Sequence, residues 1–479
     1  MMPHLAAVLP EIVILVAACV ILIVDLFVPE ERRAISYRLT QAALLLGIVV
    51  VVVTARIDPV RVFGGLVVDD MLSDVLKLFA LIAVALTLAY SRGYLAARGL
   101  YRGEMFVLAL FALLGMMVMM SAASLVTLYL GLELMSLALY ALVALRRDAA
   151  APSEAAIKYF VLGALASGVL LYGFSMVYGA TGSLDLDRIA LATLGAQGDR
   201  TLLVFGLVFV VSGIAFKLGV VPYHMWVPDV YHGAPTPVTL LIGTAPKLAA
   251  FAFTLRLLAG ALKGLEFDWQ GMLIVLSLLS MVFGNLVAIA QVNLKRMLAY
   301  STIAHMGYML LGFLAADLNG FSAAMFYAVT YVLMTLVAFG MILLLSRESF
   351  EADLLDDFKG LNRRSPWWAF MMLLAMFSLA GIPPTLGFYA KFAVIEAAVN
   401  QGFVALAVAA VLTSVVGAFY YLRVVKLMYF DEPAESAPIV APGGTRVLLS
   451  ANGLLLLVLG IVPQILMGLC TLAITQAHF

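Results

Sequence analysis

An all-α polytopic membrane protein is the fold this sequence predicts, and three observations predict it. Of 479 residues, 65% are hydrophobic and 12% are charged, where soluble domains run nearer half and a quarter. The apolar residues fall in runs long enough to cross a bilayer core, which takes about 20 residues per helix. The connections between runs are too short to hold an extramembrane domain. Charge is balanced at 28 Lys+Arg against 28 Asp+Glu, so no basic surface recruits nucleic acid. Cys19 and Cys470, the two cysteines, stand far apart, which excludes a CxxC metal or iron–sulfur site and a disulfide framework. Neither GxGxxG nor GxxxxGK followed by Ser or Thr occurs, so there is no cradle for a dinucleotide or ATP.

Taken in order, spans are expected near 7–28, 36–55, 70–91, 105–121, 123–145, 155–180 and 201–222. Others follow near 239–262, 271–291, 298–316, 320–346, 366–400, 404–430 and 446–468, about fourteen in all. The first contains Val16-Ala17-Ala18-Cys19, similar to a lipoprotein cleavage box, but no Lys or Arg precedes it and the apolar run continues to Val28. It is therefore read as retained. The run 366–400 exceeds one straight helix and holds Gly381-Ile382-Pro383-Pro384, which predicts an interruption. Alternate loops carry seventeen Lys and Arg on one side and six on the other. The richer side is cytoplasmic, and an even number of spans then places both termini on the outer side of the membrane.

Two apolar segments echo each other: Phe216-Lys217-Leu218-Gly219-Val220-Val221-Pro222 and Phe377-Ser378-Leu379-Ala380-Gly381-Ile382-Pro383. Paired broken helices in two halves are a mark of inverted-repeat transporters, with ion sites at the breaks. Five spans separate the segments, an odd number, so the second copy is expected upside down. The implied organisation is three leading helices in 1–104, a five-helix repeat in 105–262, its inverted copy in 271–430, and a last helix in 446–479. Helices 7 and 12 are the broken ones, at Pro222 and at Pro383-Pro384.

Charged residues inside spans are costly and are functional candidates by default. The bases are Lys77, Lys158, Lys217, Lys247 and Lys391; the acids are Glu11, Asp25, Asp74, Glu133 and Glu396. Glu11, Asp25 and Glu396 lie near span ends, where snorkelling to water explains them. Asp74 and Lys77 are three apart on one helical face and suit a local ion pair. Glu133 is central in its span. Lys247 is about eight residues into its own, ~12 Å at helical rise. Lys217 precedes Pro222 and Lys391 follows Pro383-Pro384, so both adjoin breaks whose freed backbone groups persist only against protein or water. Lys158, about one turn into the sixth span, divides between a surface charge and a functional one. His224 and His305 are candidate relay members, although a buried histidine is as readily a hydrogen-bonded core residue. No two histidines have the placement of a bis-His haem.

Burial disfavours charge, so a buried lysine can exchange a proton near neutral pH where an exposed one cannot. A Glu/Lys pair titrates as a unit, and changing its separation passes a proton onward. A single pair would read as a static interhelical bridge. Four or five groups at similar depth, mostly lysine and short of central acids, read as a relay.

The stretch Phe216-Lys217-Leu218 through Pro222-Tyr223-His224-Met225-Trp226-Val227-Pro228-Asp229-Val230-Tyr231-His232-Gly233-Ala234-Pro235-Thr236-Pro237-Val238 resembles the seventh-helix signature of the antiporter-like proton-channel subunits of respiratory complex I. Leu294-Lys295-Arg296-Met297-Leu298-Ala299-Tyr300-Ser301 is similar to their ninth-to-tenth helix connection. The resemblance covers essentially the whole chain. It implies that Glu133 pairs with Lys217 on broken helix 7, that Lys158 tunes the pair, that Lys247 passes protons along the axis, and that Lys391 stands near the outward exit. It also implies an activity, proton translocation coupled to electron transfer from NADH to quinone, as part of an NADH:quinone oxidoreductase. The partners implied are other membrane-arm subunits, including paralogous antiporter-like ones, within membrane lipid. NADH, FMN, iron–sulfur clusters and quinone would belong to partner subunits, with no cofactor or metal on this chain. The related alternative is a subunit of an Mrp-type sodium/proton antiporter, and a third is a non-conducting membrane scaffold.

Overall fold

The computed structural model describes residues 5–29, 32–195, 199–347, 350–433, 439 and 441–478. It is helical almost throughout. The first helices are α1 (Leu9–Asp25), α2 (Ala34–Thr54), α3 (Met71–Ala97), α4 (Gly103–Met120), α5 (Leu125–Val143) and α6 (Ala150–Thr181). A short α7 (Leu186–Leu194) precedes α8 (Arg200–Leu218), α9 (Trp226–Gly233), α10 (Thr236–Gly243) and α11 (Ala245–Thr254). Then follow α12 (Glu266–Ile289), α13 (Leu294–Leu314), α14 (Leu318–Leu345), α15 (Pro366–Ala380), α16 (Leu386–Asn400), α17 (Val404–Phe430), α18 (Gly443–Ile461) and α19 (Gln464–Thr475).

Twelve helical stretches of the described residues are long and apolar enough to cross a membrane. Helix α1, with 17 residues, and the pair α15/α16 occupy the other two positions expected from the sequence. Three local features differ from expectation. Between α2 and α3 the chain forms a hairpin of β1 (Val60–Val62) and β2 (Val67–Asp69), in register Val60↔Asp69. The last span continues past 468: α18 stops before Pro463, which cannot donate a helical N–H, and α19 resumes to Thr475. His232, expected in a loop, lies in α9.

Both predicted breaks are present. Helix α8 ends on Gly219 at φ 79° and α15 on Gly381 at φ 82°, left-handed values that glycine adopts without steric cost. At each, the glycine N–H donates to two carbonyls, Ala215 and Phe216 in one case and Phe377 and Ser378 in the other. The next residue's N–H returns to the first of these, Val220 to Ala215 and Ile382 to Phe377. The backbone thus matches Gly219 with Gly381 and Pro222 with Pro384. Aligning Phe216 with Phe377 and Pro222 with Pro383, as side-chain identity suggests, is one residue out of register.

A second correspondence lies at the helix ends. Ser124, the N-cap of α5, bridges to Asp185, and Asn293, the N-cap of α13, bridges to Leu354. The Leu125 N–H reaches the Leu184 carbonyl just as that of Leu294 reaches Asp353. Glycines bring the helices behind these caps into backbone contact. A Cβ on Gly115 of α4 would sit 2.4 Å from the Met135 nitrogen of α5, and one on Gly284 of α12 would sit 2.7 Å from the Ala304 nitrogen of α13. Small residues are the usual means of close helix approach in lipid, where no hydrophobic drive exists between helices. Helix α14 is buried along nearly its whole length, and the bundle is arranged around it.

Candidate functional site

Glu133 and Ser136 stand one turn apart on α5. Ser167 of α6 donates to the Glu133 carboxylate and contacts the Tyr129 hydroxyl at 3.1 Å. The Lys217 ammonium, in the last turn of α8, donates to Ser136 Oγ at 2.8 Å. The direct Glu133–Lys217 pair implied by the resemblance is therefore not formed; Lys217 is held by the serine one turn along α5 from Glu133.

Lys247 is 1% exposed. Its Nζ donates at 2.9 Å to the Leu218 carbonyl, the last residue of α8, and lies 5.6 Å from the centre of the Trp226 ring. The Trp226 indole in turn donates to the Phe216 carbonyl at 3.0 Å. Lys391 repeats this arrangement. Its Nζ donates at 2.9 Å to the Ala380 carbonyl, the last residue of α15, and at 3.0 Å to Ser414 Oγ, 5.0 Å from the Tyr308 ring centre. Leu218 and Ala380 are equivalent in the register fixed by Gly219 and Gly381. Each break thus offers a helix-terminal carbonyl, one of the orphan acceptors of a helix C-terminus, to a buried ammonium. Among the described residues, no carboxylate lies within ion-pair distance of Lys217, Lys247 or Lys391.

His305 is in this polar interior. Its ring nitrogens contact the Tyr327 and Tyr421 hydroxyls at 2.6 and 3.1 Å. Tyr421 also meets Ser301 Oγ at 2.5 Å, and Thr302 meets Tyr331 at 2.6 Å. From Lys391 the chain of contacts runs through the Tyr308 ring. The Tyr308 hydroxyl takes Thr413 at 3.0 Å and the Asn285 amide at 3.2 Å, and Tyr420 donates to Asn285 at 3.0 Å. Charge depth in the sequence could not reveal these tyrosines. A helical spacing of hydroxyls around His305, in Ser301, Thr302 and Tyr308, was the available signal.

Other expected members lie elsewhere. Lys158 is on the bundle surface, paired at 2.9 Å with both Glu154 and Asp229, and Asp229 is shared with Arg296 at 3.0 Å. It does not touch the Glu133–Lys217 group. His224 packs its ring on Phe283 at 4.8 Å, with a buried Nδ1 that has no partner. Pro222, Pro383 and Pro384 lie in the non-helical turns following Gly219 and Gly381. Glu11 does not snorkel: it is 8% exposed and pairs at 2.8 Å with Lys77, so Lys77 takes Glu11 in place of Asp74. Helix α1 lays that face inward, and the Asp74 carboxylate instead accepts from the Arg56 N–H at 3.3 Å. Arg256, inside the expected span 239–262, is 2% exposed in a π-helical stretch Leu255–Ala261. It binds both Asp70 oxygens at 2.9 and 3.1 Å, the Met120 carbonyl and the His478 carbonyl. Among the described residues, no group of three His, Cys, Asp or Glu is placed to hold a metal.

A membrane bundle with two equivalent breaks, each capped by a buried lysine, is the architecture of an antiporter-like transport subunit. Residues 122–417 match the family described as NADH:quinone oxidoreductase/Mrp antiporter, TM, and the chain belongs to that family. It is 62% identical over 470 residues to the NADH-quinone oxidoreductase subunit N of Thiobacillus denitrificans, covering 98% of this chain and 97% of that one. It is 56% identical to the same subunit of Nitrosomonas europaea over 478 residues, 100% and 99% of the two chains. Within the family it stands with subunit N. Among solved structures it is similar to a chain of respiratory complex I from Thermus thermophilus with bound aureothin, at a TM-score of 0.82 and 36% identity, covering 96% of this chain and 98% of that one. A chain of the Mrp complex from Dietzia sp. shares the fold, with a TM-score of 0.86 at 22% identity over 99% and 97% of the chains.

Proposed function

We propose that this chain translocates protons across the membrane as a membrane-arm subunit of NADH–quinone oxidoreductase, driven by electron transfer in partner subunits. The observation that carries this reading is the set of buried lysines held by carbonyl and hydroxyl oxygens alone. An ammonium with a carboxylate partner leaves an uncompensated charge behind when it gives up its proton, at a large cost in low dielectric. One held by neutral dipoles does not.

The relay proposed is Glu133, Lys217, Lys247 and Lys391. Ser136, beside Lys217, and Ser167, beside Glu133, are assigned to connect the first pair, and the His305–tyrosine cluster to connect Lys247 with Lys391. Lys158, with Glu154 and Asp229, stands beside the relay at the bundle surface, where movement of Asp229 in α9 would reach it. His224 is assigned to the helix 7 break. The matched breaks and matched caps support two five-helix repeats in 105–262 and 271–430, preceded by helices in 1–104 and followed by 446–479. NADH, FMN, iron–sulfur clusters and quinone are assigned to partner subunits, and the neighbours to other membrane-arm subunits including paralogues. The chain is placed in the bacterial inner membrane with both termini periplasmic. A cysteine at the exposed Asp356 should then resist an impermeant thiol reagent added to intact cells.

NADH-driven proton uptake by inverted membrane vesicles tests the reading, wild type against Lys247→Ala. Diminished uptake with equal assembly and NADH-oxidase content supports it. Unchanged uptake per assembled complex would return Lys247 to a packing role. Loss of salt tolerance alone on deleting the chain would favour sodium/proton antiport.

A further inference from the structure

The amino-terminal ends of α2 and α4 meet the carboxyl-terminal end of α3 in an aromatic and basic cluster that the relay does not use. The Arg92 guanidinium lies 5.3 Å from the Tyr37 ring centre. Tyr37 packs on Tyr101 at 6.1 Å and on Phe106 at 5.9 Å, and Tyr101 meets Phe106 edge-on at 5.3 Å. The Tyr101 hydroxyl oxygen is buried beside the Arg92 guanidinium. Burial pushes its phenol up, Tyr37 adds to the shift, and Arg92 opposes it by charge and by a hydrogen bond, with Arg38 opposing by charge alone. Arg38 and Arg92 are exposed, and among the described residues neither is in an ion pair. Of the nearby acids among the described residues, Asp25 accepts from Ser36 and lies against Gly103 at the start of α4, and Glu104 pairs with Arg147 at 3.3 Å.

Below the arginines, α2 shows an apolar strip. Leu45, Leu46, Val49, Val52 and Val53 are 53–77% exposed, running from Arg38 into the span. Arginine forks match the paired oxygens of a phosphodiester, and basic pockets between spans at the cytoplasmic side are a recognised form of lipid-headgroup site.

We propose that Arg38 and Arg92, the latter braced by Tyr37 and Tyr101, bind the phosphate of an anionic phospholipid, whose acyl chains lie along the exposed face of α2. An acidic protein surface would need carboxylates matched to two arginines at a lipid-level strip; a phospholipid supplies both the anion and the tails in one molecule.

The test uses the assembled complex in liposomes carrying trace phosphatidylglycerol with a photoactivatable acyl chain, and phosphatidylcholine with the same chain as the comparison. Labelled peptides are identified by mass spectrometry. The phosphatidylglycerol probe should label 34–54 preferentially, and Arg38→Gln with Arg92→Gln should raise its half-saturation about 25-fold, roughly fivefold per arginine. Arg38→Lys with Arg92→Lys should keep part of the preference, which a folding defect would not allow. Equal labelling by the two probes, or labelling unchanged in the glutamine variant, overturns the proposal. So does displacement by inorganic phosphate, which would assign the site to a soluble anion, and so does protection of 34–54 by a cross-linked neighbouring subunit.

Discussion

Ser136→Ala tests the relay where the structure is most specific. The hydroxyl is the acceptor of the Lys217 ammonium at 2.8 Å and lies one helical turn from Glu133. Its removal takes away a hydrogen bond to a charged group, about 1.5–3 kcal/mol. At 1.4 kcal/mol per factor of ten, the population in which Lys217 is held charged beside α5 falls by roughly ten- to a hundredfold. Alanine is the better helix former, and the serine's other contacts are to the Leu132 carbonyl one turn back and to Tyr140 one turn on, both in the same helix, so the helix itself should survive. Proton uptake and NADH oxidation are measured on the same inverted vesicles, with complex content fixed by native gel. The expected result is a lower ratio of uptake to oxidation, with Ser136→Thr recovering it. A wild-type ratio in Ser136→Ala across pH 6–9 would refute the serine bridge and return Glu133 and Lys217 to independent roles.

Arg256→Met should leave Asp70 buried and unpaired, at a cost of about 3–5 kcal/mol, read as a lower thermal midpoint of the purified complex. Asp70→Asn in the same chain should recover part of it. Burial pushes the Asp69 carboxyl, in β2, up to about 6 from 3.8, with Lys77 opposing the shift and Glu11 adding to it. Between these values the folded chain keeps a proton that the unfolded chain has released, so stability falls as pH rises through that window and stays lower above it. The loss is about 3 kcal/mol at 1.36 kcal/mol per unit. Asp69→Asn should flatten the thermal midpoint between pH 4 and 6, and a midpoint still falling there would assign the dependence to another group. Gly219→Ala should impair assembly more than Gly182→Ala: both demand a left-handed backbone, but only at Gly219 would the methyl meet another side chain, Val227, at 2.6 Å.

Depth along a span was enough to find Lys247, because a charge far from either end must be enclosed whatever encloses it, and Lys391 was found from the adjoining Pro383-Pro384 break. The helix breaks were legible for a similar reason: Gly and Pro act on their own backbone. What the sequence left open depended on which face of a helix meets which neighbour. Glu11 lies near the end of its span, yet α1 turns it onto Lys77. Lys158, one turn into its span, could have faced either way, and α6 presents it at the surface beside Asp229. The tyrosines around His305 come from α13, α14 and α17, and no local pattern joins residues so far apart in the chain. The one-residue register between the two breaks was hidden because Phe and Pro recur at positions whose backbones do not correspond.

Enclosing the polar interior has a consequence for how the protein is made. A span leaving the translocon is judged largely on its own hydrophobicity. Helix α14, buried all round in the finished bundle, has a mean hydropathy of 2.4 and can enter lipid alone. Helix α13 brings Ser301, Thr302 and His305 and reaches only 1.3, the lowest of the twelve. Its insertion therefore leans on companions, and α12, already in backbone contact with it through Gly284 and Gly307, is the one synthesised just before. The hydroxyl and imidazole groups at the centre of the molecule would thus make co-insertion of a helical hairpin part of its biogenesis.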